Sequence, residues 1–367
     1  MAGQADLEIF DRLSRADWLA IDTFMAEAYG ISYIMRDFDL FSWQFGMGGR
    51  EADLTVATAR RDGQIIGMLG YIPVTVSWGD ATEPLVGAWL VNWMVAEGER
   101  TGIGPVLMRR LQELYPLLFS QGANSTNRLI AERMGFHFYQ KVHRFAAIFD
   151  AGACKPYLVE GVDVTELRAW TDPGLDGECE LWPAERLRSE FAPNWSSYDC
   201  ARFGTLRDLE YLNWRYFNHP HFTYHVLAAG SESHPALCVY RIEKSSGRAT
   251  QNVGRIVEFL CARGDVASRL GATLLNIALR EMKRRACVFA DFYCSSAHLT
   301  GPIRAAGMVQ EVNAQLASRL NPVATSTREQ NLEVWAKSNL PPPPELCDYY
   351  VTKSDGDQDR PNHAISS

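Results

Sequence analysis

Val86-Gly87-Ala88-Trp89-Leu90-Val91-Asn92-Trp93-Met94-Val95 is an apolar run whose one strongly polar side chain is Asn92. Ala96-Glu97-Gly98-Glu99-Arg100-Thr101-Gly102-Ile103-Gly104 follows it, a short charged turn rich in glycine, and then Leu107, Leu111 and Leu114 recur at helical spacing. The run predicts a strand over 86–95, and the leucines predict an amphipathic helix over 104–115 that Pro116 ends. Glycines let backbone N–H groups come close to a ligand. The start of the helix adds unpaired N–H donors and the positive end of its dipole. The turn is therefore a candidate cradle for an anion such as pyrophosphate, although the same strand–glycine–helix turn also serves tight packing. No Gly-Lys-Ser/Thr follows, so it is not a Walker loop. It also lacks the third glycine and the acidic residue after a second parallel strand that mark a dinucleotide fingerprint.

Outward from this unit, Leu117-Leu118-Phe119-Ser120 reads as a further short strand. Gly122-Ala123-Asn124-Ser125-Thr126-Asn127-Arg128-Leu129-Ile130-Ala131-Glu132-Arg133-Met134-Gly135-Phe136 then reads as a polar turn and a short helix, leading into an apolar stretch over 139–149. The order strand, Gly-x-Gly helix, strand, Asn-led helix, Gly-Phe, strand resembles the GCN5-related N-acetyltransferase superfamily over roughly residues 5–150. Glu99 to Gly104 stands where that superfamily has its Gln/Arg-x-x-Gly-x-Gly/Ala loop, and Asn124 to Phe136 where it has its second acyl-CoA motif. The resemblance implies acyl-CoA as co-substrate and no tightly bound cofactor. It places acyl-CoA against Trp93, Met94 and Val95 of the strand, Arg100, Thr101, Gly102, Ile103 and Gly104 of the loop, and Asn124 and Asn127 of the second motif. It also implies a bulged strand near Trp93 to Val95 whose backbone N–H would hold the oxyanion. This sequence departs from the pattern twice. Glu99 opens the loop, and Ala131 stands where many members carry the tyrosine that protonates the leaving thiolate.

The chain has 367 residues, 47% hydrophobic and 22% charged, which suits two soluble domains with cores of their own. A net charge of −8 argues against nucleic acid as the main partner, and Lys283-Arg284-Arg285 fits a solvated helix end. Eight scattered cysteines show no paired metal spacing, so no metal site is expected. The first residues lack a charged-then-apolar leader, and no apolar run reaches the roughly 18 residues of a membrane span. A cytoplasmic chain with free thiols and no membrane partner is the expectation. Monomer and homodimer both remain open.

Taken in order, residues 6–13 suit an edge strand, 17–28 an amphipathic helix, and 54–59 with 65–73 a hairpin turning at Arg61-Asp62-Gly63. The second half echoes the first. Glu210-Tyr211-Leu212-Asn213-Trp214-Arg215-Tyr216 parallels Asp39 to Phe45, and strands at 224–229 and 236–243 follow it. Val253 to Gly264 parallels Gly87 to Gly98, then come a helix over 266–282, a strand over 287–294 and Gly307-Met308. Trp43 pairs with Trp214, Val91 with Val257 and Gly135 with Gly307, at offsets of about 166–172. The expected fold is α/β (α+β): two tandem domains of the acetyltransferase type, each a mixed, mostly antiparallel twisted sheet flanked by helices. Residues 1–150 would bind acyl-CoA, 151–163 would link, and 164–367 would carry a degenerate loop and bind the acceptor. In the second loop Asp265 puts a carboxylate where a phosphate would sit, and repels it.

Residues 321–345 are polar with a Pro341–Pro344 run, a surface excursion or partner-binding segment. Asp348 to Thr352 reads as a returning strand, and 353–361 fits either a solvated tail or a loop lining the active site. Acyl transfer to an amine needs a neutral amine, a polarised thioester and a held oxyanion. Asn92 and Glu258 are polar positions in matching apolar strands, so Glu258 is the candidate that holds or deprotonates the acceptor amine and Asn92 the one that orients it. Asp357 is a further candidate base. Residues 212–220 and 355–361 resemble segments of tandem acetyltransferase-fold proteins of bacterial surface-polysaccharide synthesis, among them N-acyltransferases of dTDP-linked 3-amino-3,6-dideoxyhexoses. That resemblance implies a nucleotide-linked amino sugar as acceptor, met by Trp214, Arg215, His219 and Asp359, and acetyl or a short 3-hydroxyacyl such as 3-hydroxybutyryl as the group moved. Three classes stay open: this sugar N-acyltransferase, a tandem N-acetyltransferase of another small amine, and a non-catalytic acyl-CoA or nucleotide-sugar binding protein.

Overall fold

The computed structural model describes residues 6–49, 52–99, 102–122, 125–175, 179–198, 202–245, 251–311, 315–316 and 330–361. Its helices are α1 (Trp18–Tyr29), α2 (Phe38–Phe45), α3 (Ile103–Leu114), α4 (Ser125–Arg133), α5 (Ala184–Ser189), α6 (Leu209–Leu212), α7 (Asp265–Arg284) and α8 (Thr300–Ala305). The first strands are β1 (Leu7–Phe10), β2 (Val56–Arg61), β3 (Gln64–Trp78), β4 (Leu85–Val95), β5 (Leu117–Gln121), β6 (His137–Tyr139) and β7 (His143–Ile148). The rest are β8 (Phe203–Thr205), β9 (His225–Gly230), β10 (Pro235–Lys244), β11 (Asn252–Leu260), β12 (Cys287–Cys294), β13 (Val309–Gln310), β14 (Leu332–Ala336) and β15 (Tyr349–Tyr350). The apolar run at 86–95 and the leucine-spaced helix at 104–115 thus form β4 and α3 with one-residue shifts at their ends.

The strands make two mixed sheets. One runs β1-β2-β3-β4-β5-β14-β6, with β8 on the far half of β3 and β15 on β8; the other runs β13-β7-β12-β11-β10-β9. Each is antiparallel except for one central parallel pair, β4–β5 or β11–β12, and the parallel β8–β15 contact at an edge. The parallel pairs have the crossover helices α3 and α7, as parallel neighbours require. Helix α3 buries Ile103, Leu107, Met108 and Leu111 against the first sheet. Each side chain so buried contributes about 1.5–3 kcal/mol, enough to fix the glycine turn at the head of the helix. No helix among the described residues is long and apolar enough to cross a membrane.

The two sheets exchange strands. β7 is early in the chain yet lies in the second sheet between β12 and β13, while β14 comes late and lies in the first sheet between β5 and β6. The expected boundary at 150 therefore falls after a strand that the second sheet owns. Residues 332–336 correct the expectation of a surface excursion, for they form a strand paired on both sides, while 321–329 lie outside the described residues. Glu333 made a short Leu-x-Val strand look polar, and the strand's partners lie far away in sequence. One buried cluster runs through both halves, from Leu13 and Trp89 to Val257, Phe292 and Tyr349. Trp43 and Trp214 stack at its centre with ring centroids 5.3 Å apart. Each indole N–H donates to the other residue's carbonyl, at 3.0 and 3.1 Å. This reciprocal pair is what two copies of one segment make when they face each other. Gly135 and Gly307 also agree, at φ of 86° and 88°.

The strand exchange predicts that a fragment of residues 1–155 does not fold alone, because β5 and β6 lack the strand that lies between them. Urea unfolding followed by circular dichroism should show no cooperative transition for the fragment and a sharp one for the full chain; a sharp transition in the fragment would refute the expectation.

Candidate active site

β4 carries one residue more than β3 can match. Leu69 faces Trp93 and Gly70 faces Val91, which leaves Asn92 unpaired in a bulge. Asn92 takes φ of 52°, a left-handed conformation that a side chain enters at a cost of about 1–3 kcal/mol. β4 pairs with β5 only over Gly87–Trp89 with Leu117–Phe119, so beyond Trp89 the two parallel strands diverge. The bulge thus lies one residue ahead of the 93–95 span expected to hold it. β10–β11 has the same device, with Val239 facing Glu258, Tyr240 facing Ile256, and Val257 left over. Asn92 therefore matches Val257 and not Glu258, which corrects the sequence pairing by one position.

The gap between β4 and β5 opens into two adjoining cavities of about 390 and 690 Å³ that share Tyr29, Trp93 and Asn127 in their walls. The larger lies at the head of α3, against Met94, Val95, Gly104 and Pro105, with Thr126 and Ile130 of α4 opposite. Gly102 caps α3 at φ of 94° with open space around its Cα. Ile103 and Gly104 in the first turn have no helical carbonyl ahead of them. Gly104 has a second reason to lack a side chain, since a Cβ there would stand 2.5 Å from the Trp93 indole. Arg100, Thr101 and Asn124 lie outside the described residues. Glu99, the departure at the head of the loop, is held in an ion pair by Arg61.

The smaller cavity has apolar walls at Leu69, Leu90, Val91, Met108 and Phe136 and polar ones at Asn92, Ser120, Asn127 and Glu333. The Tyr33 hydroxyl donates to Asn92 Oδ1 at 2.9 Å, while Asn92 Nδ2 is buried with no hydrogen-bond partner among the described residues. Burial raises the Tyr33 phenol well above its ordinary range, against the pull of Arg360. Tyr29 stacks on Tyr33 at 4.8 Å. Asp357, Gln358 and Arg360 reach the cavity from the C-terminal segment, Asp357 and Arg360 paired at 2.9 Å. Glu333 of β14, which sequence reasoning passed over, also lines it. Burial, then the nearby Glu132, pushes its carboxyl up to about 7 against Arg128 and a hydrogen bond from Ser120.

The structure therefore brings together Asn92, Trp93, Met94, Val95, Gly104, Asn127 and Asp357 around one cleft. Ala131 packs in the apolar face of α4 beside it. Other candidates are corrected. Glu258 is fully buried. Its carboxylate is paired with Arg207 and accepts from the hydroxyls of Tyr216 at 2.9 Å, Ser354 at 2.8 Å and Tyr350. It has no face left for an acceptor. Burial works against the charge on Arg207, but Asp355 and Glu258 outweigh it and hold the guanidinium protonated. Asp359 is equally enclosed, bound to Arg241 at 2.9 Å and to the Tyr224 hydroxyl at 2.6 Å. Burial would raise its carboxyl, and Arg241 overrides that to hold it below the usual carboxylate range. Trp214 and Arg215 are buried in the core. His219 Nδ1 accepts from the backbone N–H of His221 and Phe222, and burial with the Arg215 charge drives the ring well below its ordinary pKa.

The C-terminal segment is neither solvated nor loose. Val351 exchanges hydrogen bonds with Ser295, Thr352 bridges to Cys294, and the Tyr350 hydroxyl donates to Phe259 O at 2.9 Å. Residues 349–355 thereby fill the gap between β11 and β12 that matches the open gap between β4 and β5. Asp265, at the head of α7, is exposed beside this plugged cleft.

No protein-family model matches the sequence, and no curated protein matches it. Solved structures do match by shape. A GCN5-related N-acetyltransferase from Kribbella flavida superposes at a TM-score of 0.52 and 14% identity, over 92% of this chain and 72% of its own. This chain has the GCN5-related N-acetyltransferase fold. A conserved protein of unknown function from Enterococcus faecalis V583, described as a probable N-acyltransferase, is similar at 0.52 and 10%, over 91% and 73% of the two chains. A GCN5-related N-acetyltransferase from Anabaena variabilis is similar at 0.50 and 12%, over 89% and 72%. The likenesses span both halves, as a tandem of the fold requires.

The placement of Glu258 predicts a structural effect. Glu258→Gln leaves Arg207 short of one buried counter-charge and should lower stability by about 3–5 kcal/mol, read as a shift of the urea midpoint; a midpoint equal to wild type would show that the pair is not a support.

Proposed function

We propose that the protein is an acyl-CoA-dependent N-acyltransferase with one working site, in the first sheet, and that its acceptor is the amino group of a nucleotide-linked amino sugar. One observation carries the acyl-CoA reading: the bulge at Asn92 parts β4 from β5 directly above the glycine-capped head of α3. A thioester laid in that gap has a strand edge with free backbone groups beside its carbonyl, and unpaired helix N–H groups beneath for a pyrophosphate. The acceptor amine enters from the cavity of Asn92 and Asp357. It attacks the thioester carbon directly, without an acyl-enzyme, while Asn92, whose Nδ2 has no partner among the described residues, orients the acceptor. Acyl-CoA is a co-substrate here and not a resident cofactor.

Of the segments that carried the resemblance, 212–220 buries Leu212, Trp214, Arg215, Tyr216 and His219 away from the cleft, and of 355–361 Asp357, Gln358 and Arg360 reach it. In its favour, the stacked Tyr29–Tyr33 pair offers a flat apolar wall for a sugar or base, and Asp357 offers a charge for an ammonium. Acetyl and 3-hydroxybutyryl are the acyl groups to test first.

Amine-dependent release of free thiol from acetyl-CoA or 3-hydroxybutyryl-CoA, across a panel of dTDP-linked amino sugars, tests both parts. Release with one sugar is the expected result. Release only with other amines would keep the acyltransferase and remove the sugar. Binding of acyl-CoA without release for any amine would leave a binding protein. Calorimetric titration should give one acyl-CoA per chain, because residues 349–355 fill the second gap; two per chain would contradict that.

A further inference from the structure

Expelling a thiolate requires a proton, and Ala131 offers none. The titratable side chains lining the smaller cavity are Tyr29, Tyr33, Glu333, Asp357 and Arg360 among the described residues. Tyr33 already donates to Asn92, and Asp357 is tied to Arg360. Tyr29 is more than half exposed. Glu333 differs from all of these. Its side chain is buried, at 3% exposure, and its Oε1 has no hydrogen-bond partner among the described residues. It stands on β14 directly across from Ser120 of β5, one strand away from the gap, on a wall shared with Asn92, Trp93 and Asn127. A buried carboxyl oxygen left without a partner costs stability wherever it does no further work.

We propose that Glu333, in its acid form, is the proton donor to the leaving thiolate, a catalytic residue that strand exchange delivers to the first sheet from late in the chain. The proposal rests on the acyl-transfer reading above. The amine nitrogen bonds to the thioester carbon, and the tetrahedral intermediate collapses with cleavage of the C–S bond. The electron pair stays on sulfur, the Glu333 proton joins it, and free CoA thiol departs. The proton shed by the acylated nitrogen returns the carboxylate to its acid form, so no other reactant is consumed. The groups around Glu333 fit the role. Arg128 and Glu132 of α4 face it with opposite charges and also pair with each other, Ser120 of β5 is its hydrogen-bond partner, and Phe138 of β6 flanks it. Asp357 and Arg360, on the same cavity, pair with each other. With its carboxyl pushed up to about 7, the acid form is well populated at neutral pH. A cysteine-like thiol near 8.5 is then the weaker acid, so transfer to sulfur runs downhill.

The test compares wild type with Glu333→Gln, using an acyl-CoA and any amine the wild type accepts. At pH 6 kcat should fall by about 100-fold, with KM for acyl-CoA changed by less than twofold. The acid form is full below the carboxyl's pKa and lost as pH rises through it. The ratio of wild-type to variant kcat should therefore be largest at pH 6 and shrink above about 7. A ratio that grows with pH would make Glu333 a base and overturn the proposal, as would a variant as fast as wild type. The variant removes a buried charge and should melt no lower than wild type at pH 8. If it does not fold, Glu333→Asp, which keeps an acid one carbon further back, should show a smaller loss with the same pH trend. A wild type that releases no thiol with any amine fails the acyl-transfer reading itself, whereas turnover indifferent to Glu333→Gln fails this inference alone.

Discussion

A strand with one residue too many cannot stay in register with two neighbours. β4 keeps its bonds to β3 around the surplus Asn92 and gives up those to β5. The extra residue increases local twist, and the parallel pair beyond it opens like a hinge. Every part of the candidate site follows from that opening. It exposes a length of strand edge, drops the Trp93 indole onto Gly104, and leaves the Asn92 amide facing a cavity. Unsatisfied strand edges are normally a liability. Here the edge is recessed between helices, where a ligand can complete it.

The second half obeys the same geometry and meets the opposite fate. Its surplus residue, Val257, opens β11 from β12, and the chain's own C-terminal segment closes the gap. The segment is held by charge. Asp355 binds Arg207 at 2.7 Å and Asp359 binds Arg241 at 2.9 Å. Ions out of water hold well only when both partners stay in place. That makes the segment a rigid mount, and Asp357, Gln358 and Arg360 arrive at the first cleft already positioned. One half of the molecule thus contributes walls to the other half's cleft.

Much of this was legible in local patterning. The apolar run, the leucine spacing and the paired glycines located β4, α3 and the turns because those signals depend on neighbours in sequence. The repeat was legible because Trp43 and Trp214 have to match each other to pack as they do. What stayed hidden depends on partners far away. Glu258 and Asp359 look reactive in a string of letters, and only the arrangement of Arg207 and Arg241 around them shows how fully they are enclosed. A bulge is a mismatch between two strands, so its register cannot be read from one of them. β14 escaped notice for the same reason: its partners are some 200 residues earlier in the chain, and the polar residue that disguised it is the one that meets the cleft.

The exchange of β7 and β14 also fixes when the molecule can become itself. A ribosome delivers β5 and β6 long before it delivers the strand that joins them. Through most of synthesis the first sheet has two open edges, and β7 waits for a sheet not yet made. Long-range pairing of this kind is slow, because loop closure comes before any contact is gained. Newborn chains are thus exposed to mispairing, including the swapping of a strand with a second copy. The first sheet, and with it the cleft between β4 and β5, is complete only after β14 and the 349–361 segment have been made.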